Sequence, residues 1–161
     1  VVDQEKNVVF NMSINKDALI PEDFMENQDD RLFFYRRLSL SKNLEGVDLV
    51  GLDIKDRFGV LPSSLRLLLL VKKIRLLSIN TGLLHLKTVG GGFKLLFNVF
   101  DKSGVIRLVE KTSLFFNEKG VDFTVENNSK GLIFKVFVSG VEMSLSTVVL
   151  FLSFLKKENE N

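Results

Sequence analysis

The spacing of apolar residues changes at Gly82, and this change restricts the folds that the chain can adopt. Between about residue 30 and Gly82, apolar residues recur every three or four positions, the period of a helix that buries one face. From Leu84 onward they alternate with polar residues in several short runs, which is the period of a strand. Helices followed by strands predict an α+β fold, in which an N-terminal helical layer packs on a mostly antiparallel sheet.

Three helices are predicted before Gly82. The first spans about residues 31–40, with Asp29 or Asp30 accepting hydrogen bonds from its free amide groups as an N-cap. The second spans about residues 44–58. It carries four apolar residues at spacings of three, four and four, which predict one core-facing stripe: Val47, Val50, Ile54 and Phe58.

The third helix is leucine-rich. It begins with Ser63 or Ser64 as a cap and runs to about Ile79. Its apolar residues surround the helix axis, so we expect it to be central and packed on several sides. A short strand over residues 8–14 is also predicted, and its partner must lie elsewhere in the chain.

Two hairpins are predicted after the helices. The first joins the runs on either side of the triplet Gly90-Gly91-Gly92, which favours a turn over a phosphate-binding loop. The second joins residues 121–125 to residues 132–138. Residues 101–116 favour a helix, and residues 141–157 predict an amphipathic C-terminal helix. One side of the 101–116 helix is predicted to hold Val105, Ile106, Val109 and Thr112.

Composition excludes several classes of catalytic site. The 161 residues include no cysteine, which rules out thiol nucleophiles, disulfides and Cys-ligated metals. The single histidine, His85, rules out motifs that need two, and its strand context favours a structural role. The sequence also has no GxxxxGK[S/T] loop and no GxGxxG turn opening a helix. We therefore expect no enzyme activity and no cofactor in this chain.

Charge is distributed by region, although the net charge is only +2. Residues 1–30 are acidic, whereas residues 31–94 carry 12 Lys and Arg against 4 Asp and Glu. Such a basic, leucine-rich region suits either a nucleic-acid platform or helices whose cationic stems cover apolar surface. The cations of the third helix flank its apolar surface from two sides and form no single stripe. A small nucleic-acid-binding module is therefore the alternative, and direct DNA binding is not the expected function.

The junction of the second and third helices carries the segment Asp56-Arg57-Phe58-Gly59-Val60-Leu61-Pro62. Phe58 would anchor the helix end in the core, Gly59 permits a positive φ, and Pro62 stiffens the start of the next helix. Arg57 suits the negative end of the helix dipole. These residues predict a corner between two helices.

This DRFGVLP segment resembles the hallmark of the C-terminal domain of bacterial transcription-repair coupling factors. Residues 18–24 look like the alanine–isoleucine–proline turn of that family, and residues 31–39 look like its RLxxYRRLS helix. Residues 12–82 follow the order and spacing of the family. Residues 93–161 match only as strands followed by a terminal helix, and Asp53 stands where glutamate is common.

The resemblance implies that residues 1–161 form one regulatory domain, helical over about 30–82 and strand-rich over about 83–161. The parent would be an ATP-dependent DNA translocase that removes stalled RNA polymerase and recruits UvrA in nucleotide excision repair. ATP and Mg²⁺ would serve its motor, outside this chain. The domain would be non-catalytic and autoinhibitory, because in that family it folds back on the UvrA-binding module of the same polypeptide.

Two carboxylates of the second helix are the candidate contacts for that module. Asp53 and Asp56 lie outside the predicted core stripe, beside Leu49 and Leu52, and carboxylates next to apolar surface suit arginine-bearing partners. In the alternative, the two leucines pack on neighbouring helices while the carboxylates are solvated or paired within the domain. The candidate internal partners are Arg31, Arg36 and Arg57.

The location expected from the sequence is the cytoplasm. The chain opens with acidic residues where a secretory signal would be basic, and it lacks an initial Met, which suggests a piece of a longer protein. Its longest apolar stretches are shorter than the roughly 20 residues that span a bilayer. We expect no membrane contact.

Overall fold

A computed structural model describes residues 9–160, so Val8 of the predicted first strand lies outside the described residues. Its helices and strands follow one another in the order expected from the sequence. They are β1 (Asn11–Ser13), α1 (Gln28–Leu40), α2 (Leu44–Phe58), α3 (Ser63–Ser78), β2 (Leu83–Val89), β3 (Gly92–Phe97), α4 (Lys102–Glu118), β4 (Phe123–Asn128), β5 (Gly131–Phe137) and α5 (Val141–Glu160).

The five strands form one mixed sheet in the order β1-β2-β3-β5-β4. Among residues 9–160, only β1 pairs in parallel, with β2, and the other three pairings are antiparallel. This confirms the predicted α+β class and both hairpins. The first strand is shorter than predicted, but Phe10, Met12 and Ile14 pack against the core, in keeping with the alternation.

The hydrophobic core consists of two clusters that meet at α3. The first lies between the sheet and helices α3, α4 and α5, and it includes Leu67, Ile74 and Leu77 of α3. The second lies between α1, α2 and α3, and it includes Leu65. The leucine-rich helix is therefore central, as its all-round apolar surface predicts.

The starts of two helices differ from the prediction. The cap of α1 is Asn27 and not one of the two aspartates, so the helix begins at Gln28. The Asn27 side-chain oxygen accepts a hydrogen bond from the Asp29 amide at 2.8 Å. The two aspartates lie in the first turn instead, where their charge favours the positive end of the helix dipole. At α3 no side chain caps the helix, since Pro62 occupies the cap position and its carbonyl accepts from the Arg66 amide at 3.0 Å.

The prediction of which residues α4 buries is partly wrong. Asp101 caps the helix through the Gly104 amide, and Thr112 is fully buried. Ile106, however, is exposed, because it follows Val105 by about 100° of helix rotation and points away from the sheet. Phe115 and Phe116 complete the buried side instead.

The glycine triplet forms the β2–β3 turn, and its members can be told apart by substitution. A Cβ on Gly92 would collide with the main-chain carbonyl of Val136 on β5, whereas a Cβ on Gly90 meets no atom within 4 Å. We expect Gly92→Ala to lower the free energy of unfolding by about 1–3 kcal/mol and Gly90→Ala to change it by less than about 0.5 kcal/mol. Urea denaturation of both variants measures this; equal effects would contradict the turn geometry.

An ion pair between α3 and α5 predicts that the stability of the fold depends on pH. Arg66 of α3 donates to Glu142 of α5 from Nε at 2.7 Å and from Nη2 at 3.1 Å. These hydrogen bonds hold the pKa of Glu142 below its ordinary value of 4.5. A carboxyl group whose pKa is lower in the folded than in the unfolded state stabilises the fold at pH values above its unfolded-state pKa. This stabilisation is lost as the pH falls through the folded-state pKa.

Glu142→Gln should therefore reduce the loss of stability between pH 5 and the acid limit of folding, because glutamine does not titrate. Urea midpoints of the wild type and the variant, measured from pH 7 downward, test this. Asp101, whose pKa is lowered by the Gly104 amide and the Ser103 hydroxyl, remains in both proteins and provides a shared background. Parallel pH profiles for the two proteins would contradict the assignment.

Candidate protein-interaction surface

Helix α2 lies between α1 and α3 and buries only one of its faces. Val47, Val50 and Ile54 are almost completely buried in the second cluster, as predicted, and Phe58 packs against it at 6.2 Å from the ring of Phe34. Gly51 lets α2 approach α3 closely, since a Cβ there would meet Leu69 at 2.9 Å. The core stripe therefore packs within the domain.

The opposite face of α2 is a solvent-exposed ridge. Its residues are spaced by four, three and four positions, which places them on one line along the helix. We call these residues the outer ridge: Glu45, Leu49, Leu52 and Asp56. Leu49 and Leu52 are each 55% exposed, so they are not packed on neighbouring helices in the way that the alternative interpretation of the sequence requires.

Each flank of the outer ridge carries an ion pair. On the α1 side, Asp53 pairs with Arg37, and both side chains are partly exposed. On the α3 side, Asp48 lies 2.5 Å from the ammonium of Lys73. The partner of Asp53 is therefore none of the three arginines considered from the sequence. Asp56 is exposed and takes part in none of the ion pairs found among residues 9–160.

The residues of the predicted corner hold α2 in place. The Arg57 guanidinium lies 3.5 Å from Asp30 on α1 and 5.1 Å from the centre of the Phe58 ring. Gly59 has φ of 96°, and its amide donates to the Lys55 carbonyl at 2.9 Å. Pro62 then begins α3 with φ of −67°. Arg57, Phe58, Gly59 and Pro62 thus orient the end of the outer ridge.

Two apolar residues of α1 that the sequence did not predict as part of the site border the same surface. Phe33 and Leu40 of α1 are 54% and 70% exposed. Both lie on the side of α1 that faces α2, because Asp30, Phe33, Arg37 and Leu40 follow one another at spacings of three, four and three. These spacings are visible in the sequence. They indicate a surface next to α2 only once Asp30 and Arg37 are known to contact that helix.

The cations of the helical layer are mostly engaged within the fold. Arg31 donates to the Met25 carbonyl at 2.7 Å, and Lys72 donates to the Ser39 carbonyl at 3.1 Å. Four others are in ion pairs: Arg37, Arg57, Arg66 and Lys73. The helices therefore present no continuous basic face of the kind that the nucleic-acid alternative requires.

Residues 9–160 bring together no group of three or more His, Asp and Glu side chains that could hold a metal ion. His85 is half-buried on β2, with Nε2 3.4 Å from the Ser13 hydroxyl of β1. Within the same part of the chain, no helix combines the length and the apolar character needed to cross a membrane.

Comparison with known proteins identifies a family match over the helical layer and the β2–β3 hairpin. The profile of the TRCF domain family matches residues 14–105, more than half of the chain. A transcription-repair-coupling factor of Buchnera aphidicola subsp. Baizongia pistaciae is 32% identical over 83 residues, and that of Escherichia coli K12 is 31% identical over 94 residues. These matches cover 51% and 58% of this chain but only 12% and 7% of the relatives.

A solved structure shares the fold over almost the whole chain. The crystal structure of the C-terminal domain of a transcription-repair coupling factor superposes with a TM-score of 0.74. The alignment covers 94% of this chain and 95% of the other, at 16% sequence identity. The fold is therefore shared beyond the residues 14–105 that the family profile matches.

Exposure of the outer ridge makes a testable distinction on α2. Because Leu49 and Leu52 are half-exposed, their replacement by alanine should change the free energy of unfolding by less than about 0.5 kcal/mol each. Ile54→Ala, on the buried face of the same helix, should cost about 2–5 kcal/mol. Chemical denaturation of the three variants measures this, and a cost above 2 kcal/mol at either leucine would mean that it belongs to the core.

Proposed function

The chain belongs to the TRCF domain family, and from this premise we propose that it is the regulatory domain of a transcription-repair coupling factor and that the outer ridge of α2 docks on another module of that protein. The occupant that we propose is the UvrA-binding module of the same polypeptide. In the docked state the parent would be repressed, and release would allow UvrA recruitment. The domain itself would regulate and not catalyse.

The exposed leucines of the outer ridge carry this proposal. Leu49 and Leu52 lie side by side on a helix whose other face packs in the core, and acidic groups stand at both ends of the pair. An apolar centre with charged groups at its rim is the usual anatomy of a protein interface. Asp56 at one end and Asp53 on the flank are positioned to accept paired hydrogen bonds from arginine.

Asp53 can take part in docking although it has an internal partner. An exposed ion pair such as Asp53 with Arg37 contributes only about 0–1 kcal/mol, so exchanging Arg37 for a partner arginine costs little. Asp56 needs no such exchange. We therefore expect Asp56 to make the stronger contribution of the two, and Phe33 and Leu40 to extend the contact onto α1.

Regulation by such a contact requires a difference in free energy between two states of the parent. Docking stabilises the closed state, and a partner that binds only the open state shifts the population away from it. In this proposal UvrA and stalled RNA polymerase are indirect partners of the domain. ATP and Mg²⁺ would be used by the motor of the parent, and the whole protein would act in the cytoplasm during nucleotide excision repair.

Charge reversal at the two carboxylates tests the site in the full-length coupling factor. Asp53→Lys with Asp56→Lys should raise UvrA affinity and ATPase activity by about fivefold or more, because coupling between sites is typically worth that much. Asp56→Lys alone should give most of the increase. Pull-down titration with UvrA and steady-state ATP hydrolysis are the measurements.

The matched control reverses two exposed carboxylates on α4, Glu110→Lys with Glu118→Lys, which changes the net charge equally. This control should leave UvrA affinity and ATPase activity at the wild-type level. If the α2 variant also leaves UvrA affinity unchanged while its melting temperature is normal, the outer ridge is not the docking site.

A further inference from the structure

The face of the sheet that points away from the helices carries a row of lysines. In the strand register, Lys87 of β2 lies directly opposite Lys94 of β3, which in turn lies directly opposite Lys135 of β5. Neighbouring strands are about 4.8 Å apart, so the three side chains leave the backbone within about 10 Å of one another. We call these three residues the lysine row.

The lysine row is open to solvent in the part of the chain that the structure describes. Lys87 and Lys94 are exposed and Lys135 is half-exposed, whereas their strand neighbours Leu86 and Leu95 are buried in the core. None of the three takes part in the ion pairs found among residues 9–160. Like charges placed opposite each other destabilise a sheet, so the row has a cost that a bound anion would remove.

The cross-strand rows on either side of the lysine row are mostly apolar. The adjacent cross-strand row contains His85, Leu96 and Ile133, all half-buried. On the other side Phe137 is 43% exposed, and the Lys135 ammonium lies 5.3 Å from the centre of its ring.

Among residues 9–160, the acidic groups on this face lie on β4 and at the residue before it. Glu126 lies on β4, where it accepts from the Asn128 amide at 3.0 Å, and Asp122 precedes the strand. β4 is an edge of the sheet. The positive charge is therefore concentrated over β2 and β3.

We propose that this face binds single-stranded nucleic acid, with the phosphates on the lysine row and a base replacing the Lys135 ammonium on the ring of Phe137. A basic track beside an exposed aromatic ring is the arrangement that binds single strands without sequence preference. This site is separate from the outer ridge and does not depend on the docking proposal. It also departs from the expectation that direct DNA binding is unlikely, which rests on the cations of the third helix.

The position of the lysine row favours a phosphate backbone over an acidic peptide. A peptide that adds to a sheet does so at an edge, where main-chain groups are unpaired. The lysines lie on β2, β3 and β5, which are all interior strands with a partner on each side. A ligand there gains nothing from main-chain hydrogen bonds and must be held by its charge and its ring faces.

Fluorescence anisotropy with a labelled 15-nucleotide oligothymidine tests the proposal on the 161-residue chain. Wild type should bind at low salt with an affinity that falls steeply as salt rises. The triple variant Lys87→Gln, Lys94→Gln, Lys135→Gln should bind at least tenfold more weakly, and its salt slope should fall by about 2, at about 0.7 per phosphate contact. Phe137→Ala should weaken binding about fivefold or more with the salt slope unchanged.

The control variant removes three exposed lysines outside the sheet, Lys42→Gln, Lys102→Gln and Lys156→Gln, and should keep most of the affinity. Absence of wild-type binding at low salt, or an equal loss in the control, would overturn the proposal. Equal binding of a polyglutamate peptide or of anionic vesicles that the lysine-row variant abolishes would also overturn it, by identifying another partner. Thermal melts exclude unfolding as a cause, because removing the lysine row should not lower the melting temperature.

Discussion

The structure depends on burying helix α3 from two opposite sides. Leu67, Ile74 and Leu77 pack toward the sheet and α5, while Leu65 packs toward α1 and α2. A helix with apolar residues around its axis is stable in water only if other elements cover it all round. One sheet cannot do this alone, so the chain needs a helical pair on one side of α3 and a sheet with its own helices on the other.

The two proposed surfaces follow from this layering. α2 covers α3 with its inner face, and among residues 9–160 no further element lies beyond it, so the outer ridge with Leu49 and Leu52 stays exposed. At the far side, the sheet covers the core with one face and leaves the lysine row on the other. The molecule thus has an acidic and apolar surface on its helical layer and a basic surface on its sheet, separated by the whole core.

The fold class, the bounds of α2 and both hairpins could be predicted because hydrophobic period is a local property of the sequence. The N-cap of α1 could not, since Asn27 and the two aspartates are all good caps and only the chain path decides among them. The partner of Asp53 and the lysine row were missed for a different reason. Arg37 meets Asp53, and Lys87 meets Lys94 and Lys135, only through helix packing and strand register, which are non-local.

In the proposed docking, the outer ridge and the flanking Asp53 would contribute to recognition through two kinds of residue. Exposed carboxylates act over a distance and mainly affect how fast and in which orientation a partner arrives, whereas desolvated apolar side chains mainly affect how long it stays. Asp56 and Asp53 would accordingly select an arginine-bearing module, while Leu49 and Leu52 would retain it. An intramolecular partner is already at high effective concentration, so a small apolar contact is sufficient to hold it and weak enough to be released.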